Sequence, residues 1–165
     1  ARYDYEYERK GVCNLCLFVE PRRGWRKVFV RDRRTKVDWA VCVRVLLNEV
    51  YPEALCVRLV QDNLHTHACA SLYEAFLPAE ARRLARRLEI HYTPKHGSWL
   101  NMAETELSIL HRQCLDRRLD APAVVQEEVG SWEAERNEVQ ATLNWRFTVA
   151  DARVKLKHVY PSIKI

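Results

Sequence analysis

Alternating apolar and polar residues indicate β-structure in the first part of the chain. Residues 3–8, YDYEYE, alternate aromatic and acidic side chains, which predicts a short strand with one solvated face. The segments 12–21 and 25–32 are also rich in β-prone residues, and Pro21 and Gly24 between them indicate a turn. These two segments therefore predict an antiparallel hairpin.

Helical periodicity alternates with short apolar runs in the middle of the chain. Thr35 or Asp38 is a candidate N-cap for a helix that Pro52 ends, and the apolar run 55–62 predicts a buried strand. Residues 68–76 are typical of a second helix. The positions of the first helix expected to face inward are Trp39, Val43, Leu46, Leu47 and Val50.

A third predicted helix spans residues 78–88 and starts at a proline, with Leu84 and Leu88 facing inward and arginine pairs facing outward. A short strand over 89–93 and a loop over 94–99 follow it. The loop leads into the C-terminal part of the chain, which is predicted to be mainly helical.

The predicted C-terminal helices span about 99–116 and 122–138, and a last helical stretch follows a short turn. The inner side of the first of these helices is formed by Leu100, Leu107, Leu110 and Cys114. Strands and helices alternate over 165 residues, which predicts a single α/β domain, residues 1–165, with a sheet flanked by helices.

Composition fits a globular protein, with 48% hydrophobic and 30% charged residues. No run is apolar and long enough to span a membrane, and the start ARYDYEYERK does not resemble a signal peptide. Six cysteines without a disulfide framework fit a reducing compartment, so we expect a cytoplasmic protein. The net charge of +5 suits an anionic partner.

Two acids stand where metal-dependent chemistry is often built. Asp62 ends the apolar run of a predicted strand, and Glu104 lies in the first turns of a predicted helix. Two hard oxygen ligands held on separate elements suit Mg²⁺ or Mn²⁺. An acid after a strand also serves commonly as a turn or N-cap residue. Glu106 lies roughly 200° around the helix from Glu104 and cannot face the same site.

The stretches VQDNLHTH and YTPKHGSWLNMAE resemble the paired motifs of DDE transposases, in the bacterial insertion-sequence-630 family related to mariner elements. In that family the second acid lies in a strand-end QDN motif and the third follows an LNxxE motif, matched here by Leu100, Asn101 and Glu104. The likeness covers nearly the whole chain. It implies a ribonuclease-H-like mixed sheet flanked by helices, two-metal phosphodiester chemistry with Mg²⁺ or Mn²⁺, DNA as partner, and metal-dependent DNA cleavage and strand transfer at insertion-sequence ends.

One departure from the family concerns its first acid, which lies on an opening strand upstream of YDYEYER. Neither that strand nor the family's DNA-binding helix-turn-helix is matched here, so the fold is expected to be N-terminally truncated, with Asp4 as the only nearby substitute. We therefore expect weak or no autonomous cleavage. A sheet that lacks a strand has a free edge, which suggests a homodimer or strand exchange.

The resemblance also draws attention to residues near the two acids. Asn63 and His67 either support Asp62 or a phosphate, or stabilise a turn. Lys95, His96 and Trp99 lie where DNA contacts would be useful, although Trp99 also suits a core position at a helix start.

A basic face and a cysteine pair complete the candidates. The arginines of the third helix either track a DNA backbone or are simply solvated, and they are Arg82, Arg83, Arg86 and Arg87. Cys13 and Cys16 have zinc-like spacing without a second pair, so we expect them to pack as small apolar residues.

Three functions remain open at this point. The first is a metal-dependent transposase catalytic domain. The second is a non-catalytic remnant that dimerises and binds DNA, and the third is a general nuclease.

Overall fold

Two small sheets form the centre of the fold in the computed structural model, which describes residues 11–94 and 97–157. One sheet is an antiparallel hairpin and the other is a parallel pair. The hairpin contains β1 (Asn14–Glu20) and β2 (Trp25–Arg31), and the parallel pair contains β3 (Val57–Gln61) and β4 (Leu88–Tyr92). The predicted hairpin is therefore confirmed.

Helices flank both sheets, as the sequence predicts. The α-helices are α1 (Lys36–Val45), α2 (Cys69–Ala75), α3 (Pro78–Ala85), α4 (Met102–Leu110), α5 (Pro122–Glu138) and α6 (Val149–Lys155). A π-helical turn extends α1 over Leu46–Val50 and α4 over His111–Leu115, and a 3₁₀ turn, Ser98–Leu100, precedes α4. Among the described helices, none is long and apolar enough to cross a membrane.

The two sheets are not joined into one among the described residues. β1 pairs only with β2, and β3 pairs only with β4 in that part of the chain. The predicted α/β character is confirmed, whereas a continuous ribonuclease-H-like mixed sheet stays a prediction. The predicted strand over residues 3–8, together with Asp4, lies outside the described residues.

The predicted helix over 78–88 is too long. α3 ends at Ala85, and Leu88 is the first residue of β4, where it pairs with Val57 of β3. Leu84 is fully buried, as predicted. The predicted helix extends past the observed end because an apolar residue at position 88 fits both a helix and a strand. The pairing of Leu88 with Val57, 31 positions away, leaves no local signal in the sequence.

Buried side chains form two clusters on the helical sides of the sheets. The first cluster includes Phe18, Trp39, Val43, Leu47, Leu72 and Leu84, and it packs α1, α2 and α3 against the strands. The second includes Val28, Leu110, Cys114, Val129 and Trp132, and it packs α4 and α5 against the hairpin. The predicted inward positions Leu110 and Cys114 are thereby confirmed.

The outer edge of β2 is covered by side chains of α5. Asn137 accepts a hydrogen bond from the Arg26 amide at 2.8 Å and donates one to the Arg26 carbonyl at 2.9 Å. Glu133 accepts from the Val28 amide at 2.6 Å and pairs with Lys27 at 2.7 Å. These contacts satisfy backbone groups that would otherwise be open to another strand. Within the described residues, the edge of the hairpin that has no such cover is that of β1.

Candidate active site

Asp62 immediately follows β3, at the carboxyl end of the parallel pair. Its carboxylate is partly exposed, and Asp62 Oδ1 lies 2.8 Å from His67 Nδ1. The imidazole of His67 stacks on the indole of Trp39, with ring centroids 6.0 Å apart and planes 26° from parallel. The acid is therefore held on one side by a histidine that is itself held against the core.

Further hydrogen bonds shape the turn between Asp62 and His67. The His67 carbonyl accepts from Gln61 Nε2 at 2.6 Å and from the Tyr92 hydroxyl at 2.9 Å. Asn63 Nδ2 donates to the Thr93 carbonyl at 2.7 Å, so its amide joins the ends of β3 and β4. Of the two residues predicted to flank the acid, His67 contacts Asp62 and Asn63 fastens the turn.

Glu104 lies in the first turn of α4, and its side chain is exposed. Asn101 is the N-cap of this helix, since its side chain accepts a hydrogen bond from the Ala103 amide at 3.1 Å. The LNxxE motif thus has a local structural reason: asparagine starts the helix, and the acid follows within one turn. Asn101 is predicted only as a residue of the motif, and its capping role is seen in the structure.

Asp62 and Glu104 line the same groove, which has a volume of about 760 Å³. Every residue of β1 and every residue of β3 also lines it, together with the start of α4. The groove therefore lies between β1 and β3, each at an edge of its sheet in the part of the chain that the structure describes. His67, which contacts the Asp62 carboxylate, and Asn101, which caps α4, are further lining residues of this groove.

Glu106 faces away from this groove, as the helical angle predicts. Its side chain is fully buried, and its carboxylate lies 2.9 Å from the Nε atoms of both Arg26 and Arg136. Among the described residues, no cluster of three or more His, Cys, Asp or Glu side chains is placed to hold a metal ion. Asp62 and Glu104 are the two acids of the matched motifs, and both line the groove.

Trp99 packs within the protein. Its ring makes an edge-to-face contact with Phe147 at 5.0 Å, and the Lys155 ammonium lies 4.7 Å from the ring centroid. These contacts favour the structural alternative for Trp99, in which it fastens the C-terminal segment to the start of α4. Lys95 and His96 lie outside the described residues.

The four arginines of the predicted basic face divide into two kinds. Arg82, Arg83 and Arg86 are exposed, and Arg83 donates to Asn48 at 3.1 Å. Arg87 instead directs its guanidinium to main-chain carbonyls at the end of the first helix, and its acceptors are Leu47, Tyr51, Pro52 and Ala54. The donors of Arg87 are therefore engaged inside the protein.

Comparison with known protein families places most of the chain in one family. Residues 1–122 of the 165 match the family model of the DDE superfamily endonuclease. The chain belongs to the DDE superfamily of endonucleases. Searches of curated proteins and of solved structures gave no match.

Membership of the DDE superfamily supports an endonuclease-like or transposase-like function with DNA as substrate. The matched range contains both acids, the groove and the basic helix α3, whereas α5 and α6 lie beyond it or at its end.

All six cysteines are free, and Cys13 and Cys16 belong to no metal-binding cluster among the described residues.

Proposed function

We propose that this chain is the catalytic domain of a DDE transposase of the insertion-sequence-630 type, which cleaves and joins DNA at the ends of an insertion sequence. One observation carries the proposal. Asp62, at the carboxyl end of β3, and Glu104, on an element far away in the sequence, line one groove that runs along β1 and β3. Functional residues of α/β folds gather at such strand ends.

The two carboxylates suit a divalent ion with hard-ligand preference, Mg²⁺ or Mn²⁺. When bound, such an ion lowers the pKa of a coordinated water and stabilises a leaving oxygen. Asp62 and Glu104 would supply acceptor oxygens to the ion, and His67 restrains the Asp62 carboxylate through its contact with Oδ1. Two carboxylates fit one ion completed by waters but not a closely spaced pair, for which a further acid is needed.

A strand that occupies the groove would supply that acid. Among residues 11–94 and 97–157, no strand pairs with the second edge of β1 or of β3, so an inserted strand would pair with both and join the two sheets into one. Pairing between two copies of the chain through these edges is the homodimer or strand exchange that the sequence suggests. Without such a strand we expect little or no autonomous DNA cleavage.

DNA would lie against the exposed arginines of α3. Arg82 lies in the last turn of α3 and Arg86 is its C-cap residue in helical conformation, so these side chains, four positions apart, project from the same side, with Arg83 beside them. Their guanidinium groups suit phosphate oxygens, and the net charge of +5 supports the same partner. Arg87 is not included, because its donors are held by carbonyls.

Met102 provides a sharp test of the metal site. It is the single methionine of the chain, it begins α4, and it lines the groove two residues before Glu104. In protein labelled with ¹³C at the methionine methyl group, Mn²⁺ bound to Asp62 and Glu104 should broaden the Met102 signal. In Asp62→Asn and in Glu104→Gln, the Mn²⁺ concentration that gives half of the maximal broadening should rise at least about ten-fold.

Glu127→Gln is the matched control, because Glu127 is an exposed acid of α5 that does not line the groove. It should leave the Mn²⁺ titration unchanged. Broadening that persists in both groove variants would contradict the metal site, and robust Mg²⁺-dependent nicking by the unaided chain would contradict the expected weakness of cleavage.

A second candidate function is a non-catalytic remnant that dimerises and binds DNA. The absence of a third metal ligand among the described residues favours it. DNA binding that is indifferent to Mn²⁺, combined with no effect of Mn²⁺ on Met102, would select this function over the enzyme. A general nuclease is separated from a transposase by cutting without preference for particular DNA ends.

A further inference from the structure

We propose that Glu106 is a positioning residue, which fixes the rotation of α4 so that Glu104 faces the groove. This inference rests on the proposed metal site at Asp62 and Glu104. Glu106 itself touches neither the groove nor any group that would react, and it acts through its buried ion pairs.

The ion pairs join three elements at one carboxylate. Glu106 belongs to α4, Arg26 to β2 and Arg136 to α5, and both Nε–Oε1 distances are 2.9 Å. Arg136 also donates to the second carboxylate oxygen, with Nη2 to Oε2 at 3.3 Å. The side chains of Glu106 and Arg26 have no solvent exposure, and that of Arg136 is 16% exposed.

Arg26 cannot follow α4 if the helix turns. Its main-chain amide and carbonyl are both held by Asn137, and its guanidinium donates to the Ala141 carbonyl at the end of α5. Burial lowers the pKa of Arg26, and the adjacent Glu106 opposes that shift. The guanidinium is therefore a fixed reference point for the carboxylate of Glu106.

The hydrogen bonds from Arg136 to both carboxylate oxygens of Glu106 are directional and add what apolar packing alone does not, whereas Arg26 Nε lies at ion-pair distance without hydrogen-bond geometry. Leu107 and Leu110 hold α4 against the hairpin and α5, but apolar contacts tolerate a small rotation or slide. A buried ion pair contributes little net stability, and its best-attested use is to fix one arrangement. Glu104 and Glu106 lie roughly 200° apart on the helix, so fixing the inner acid orients the outer one.

The test replaces the ion pairs with apolar side chains. The double variant Arg26→Met/Glu106→Leu removes the two fully buried charges together but leaves Arg136, which is 16% exposed and stacks over Trp132, without its acid, so we expect it to fold with a lowered unfolding midpoint. We expect its Mn²⁺ affinity, read from the Met102 signal, to fall about ten-fold. An unchanged affinity in the folded double variant would overturn the proposal.

A second variant covers a failure of the double variant to fold. Arg136→Lys keeps the charge at a side chain that is partly exposed, but loses the guanidinium geometry that contacts both carboxylate oxygens. We expect it to fold and to lose Mn²⁺ affinity several-fold. Wild-type affinity in this variant would likewise overturn the proposal.

Glu133→Gln is the matched control for structural damage. Glu133 joins α5 to β2 through Lys27 and the Val28 amide. Glu106 likewise joins α4 to β2 through Arg26, but Glu133 makes no ion pair with α4. It should lower the unfolding midpoint without changing Mn²⁺ affinity. An equal loss of affinity in Glu133→Gln would show that loosening of α5, not orientation of α4, is responsible.

Failure of the metal site itself gives a different result. If the wild-type protein binds no Mn²⁺, the proposed function fails, and the positioning role is read from the metal-free Met102 methyl signal. That signal should shift or broaden in Arg136→Lys and stay unchanged in Glu133→Gln. Identical Met102 signals in all three proteins would end the proposal.

Discussion

His67 Nδ1 lies 2.8 Å from Asp62 Oδ1, at the point where β3 ends. The same imidazole stacks on Trp39 of α1. The histidine therefore connects the acid to the hydrophobic core through a single side chain, and the orientation of the acid depends on that connection.

Replacing this histidine should weaken metal binding more than it weakens the fold. We expect His67→Ala to lower Mn²⁺ affinity about ten-fold, because residues that orient a ligand typically contribute that much. Titration of the Met102 methyl signal measures the effect. His65→Ala is the control, since His65 is an exposed neighbour in the same turn. Equal losses in the two variants would show that the turn as a whole matters, and not the contact with Asp62.

Two adjacent arginines should differ in their contribution to stability. Arg87→Ala removes donors from four carbonyls near the end of α1 and should lower the free energy of unfolding by about 2–3 kcal/mol. Arg86→Ala, at an exposed neighbour, should change it by less than about 0.5 kcal/mol. Urea unfolding separates the two. Similar values for both would contradict the role given to Arg87.

The exposed arginines of α3 should control the salt dependence of DNA binding. We expect Arg82→Ala/Arg86→Ala to reduce the slope of log affinity against log salt concentration by about 2, since each phosphate contact contributes about 0.9. Fluorescence anisotropy with duplex DNA at several salt concentrations measures the slope. Arg153→Ala, at an exposed arginine of α6, is the control and should leave the slope unchanged. A slope that stays at the wild-type value in the double variant would remove α3 from the DNA-binding surface.

The start of α1 should lose stability in acid. Thr35 and Asp38 form a capping box, and the hydroxyl of Thr35 lowers the pKa of Asp38 below its ordinary value of 3.8. A depressed pKa means that this contribution is present above the ordinary value and is lost as pH falls through the folded-state pKa. The free energy of unfolding of the wild type should exceed that of Asp38→Ala by about 1 kcal/mol at neutral pH. This difference should shrink below pH about 4.

Thermal unfolding across pH measures the capping-box contribution. Glu127→Ala, at an exposed acid without such a partner, should show a small difference from the wild type that hardly changes with pH. A difference between wild type and Asp38→Ala that stays constant down to pH 2 would contradict the assignment.

Much of the local structure follows from the sequence because its signals are local. The hairpin is marked by Pro21 and Gly24, and a positive φ of 66° at Gly24 shows why glycine is needed in that turn. The packing there is also tight, since a Cβ at Gly24 would collide with the carbonyl of Gln140. The caps at Thr35 and Asn101 likewise depend on residues within three positions.

The site is only partly visible in the sequence. The motifs around Asp62 and Glu104 single out these acids, but periodicity does not predict that they share a groove, because that depends on where α4 packs. The contact of Asn63 with Thr93 depends on the end of a neighbouring strand. The carbonyl contacts of Arg87 depend on α3 ending early. Pairing partners distant in sequence decide each of these.

The side chains of Asn137 and Glu133 cover the edge of β2, and this limits how copies of the chain can associate through their hairpins. Strand-to-strand growth from the hairpin is stopped on the α5 side and possible on the β1 side. A hairpin with one covered edge can accept one further strand, and the sheet cannot be extended beyond the hairpin. Association through hairpin edges alone should therefore stop at two copies, and a short β-forming peptide that fills the groove should compete with it.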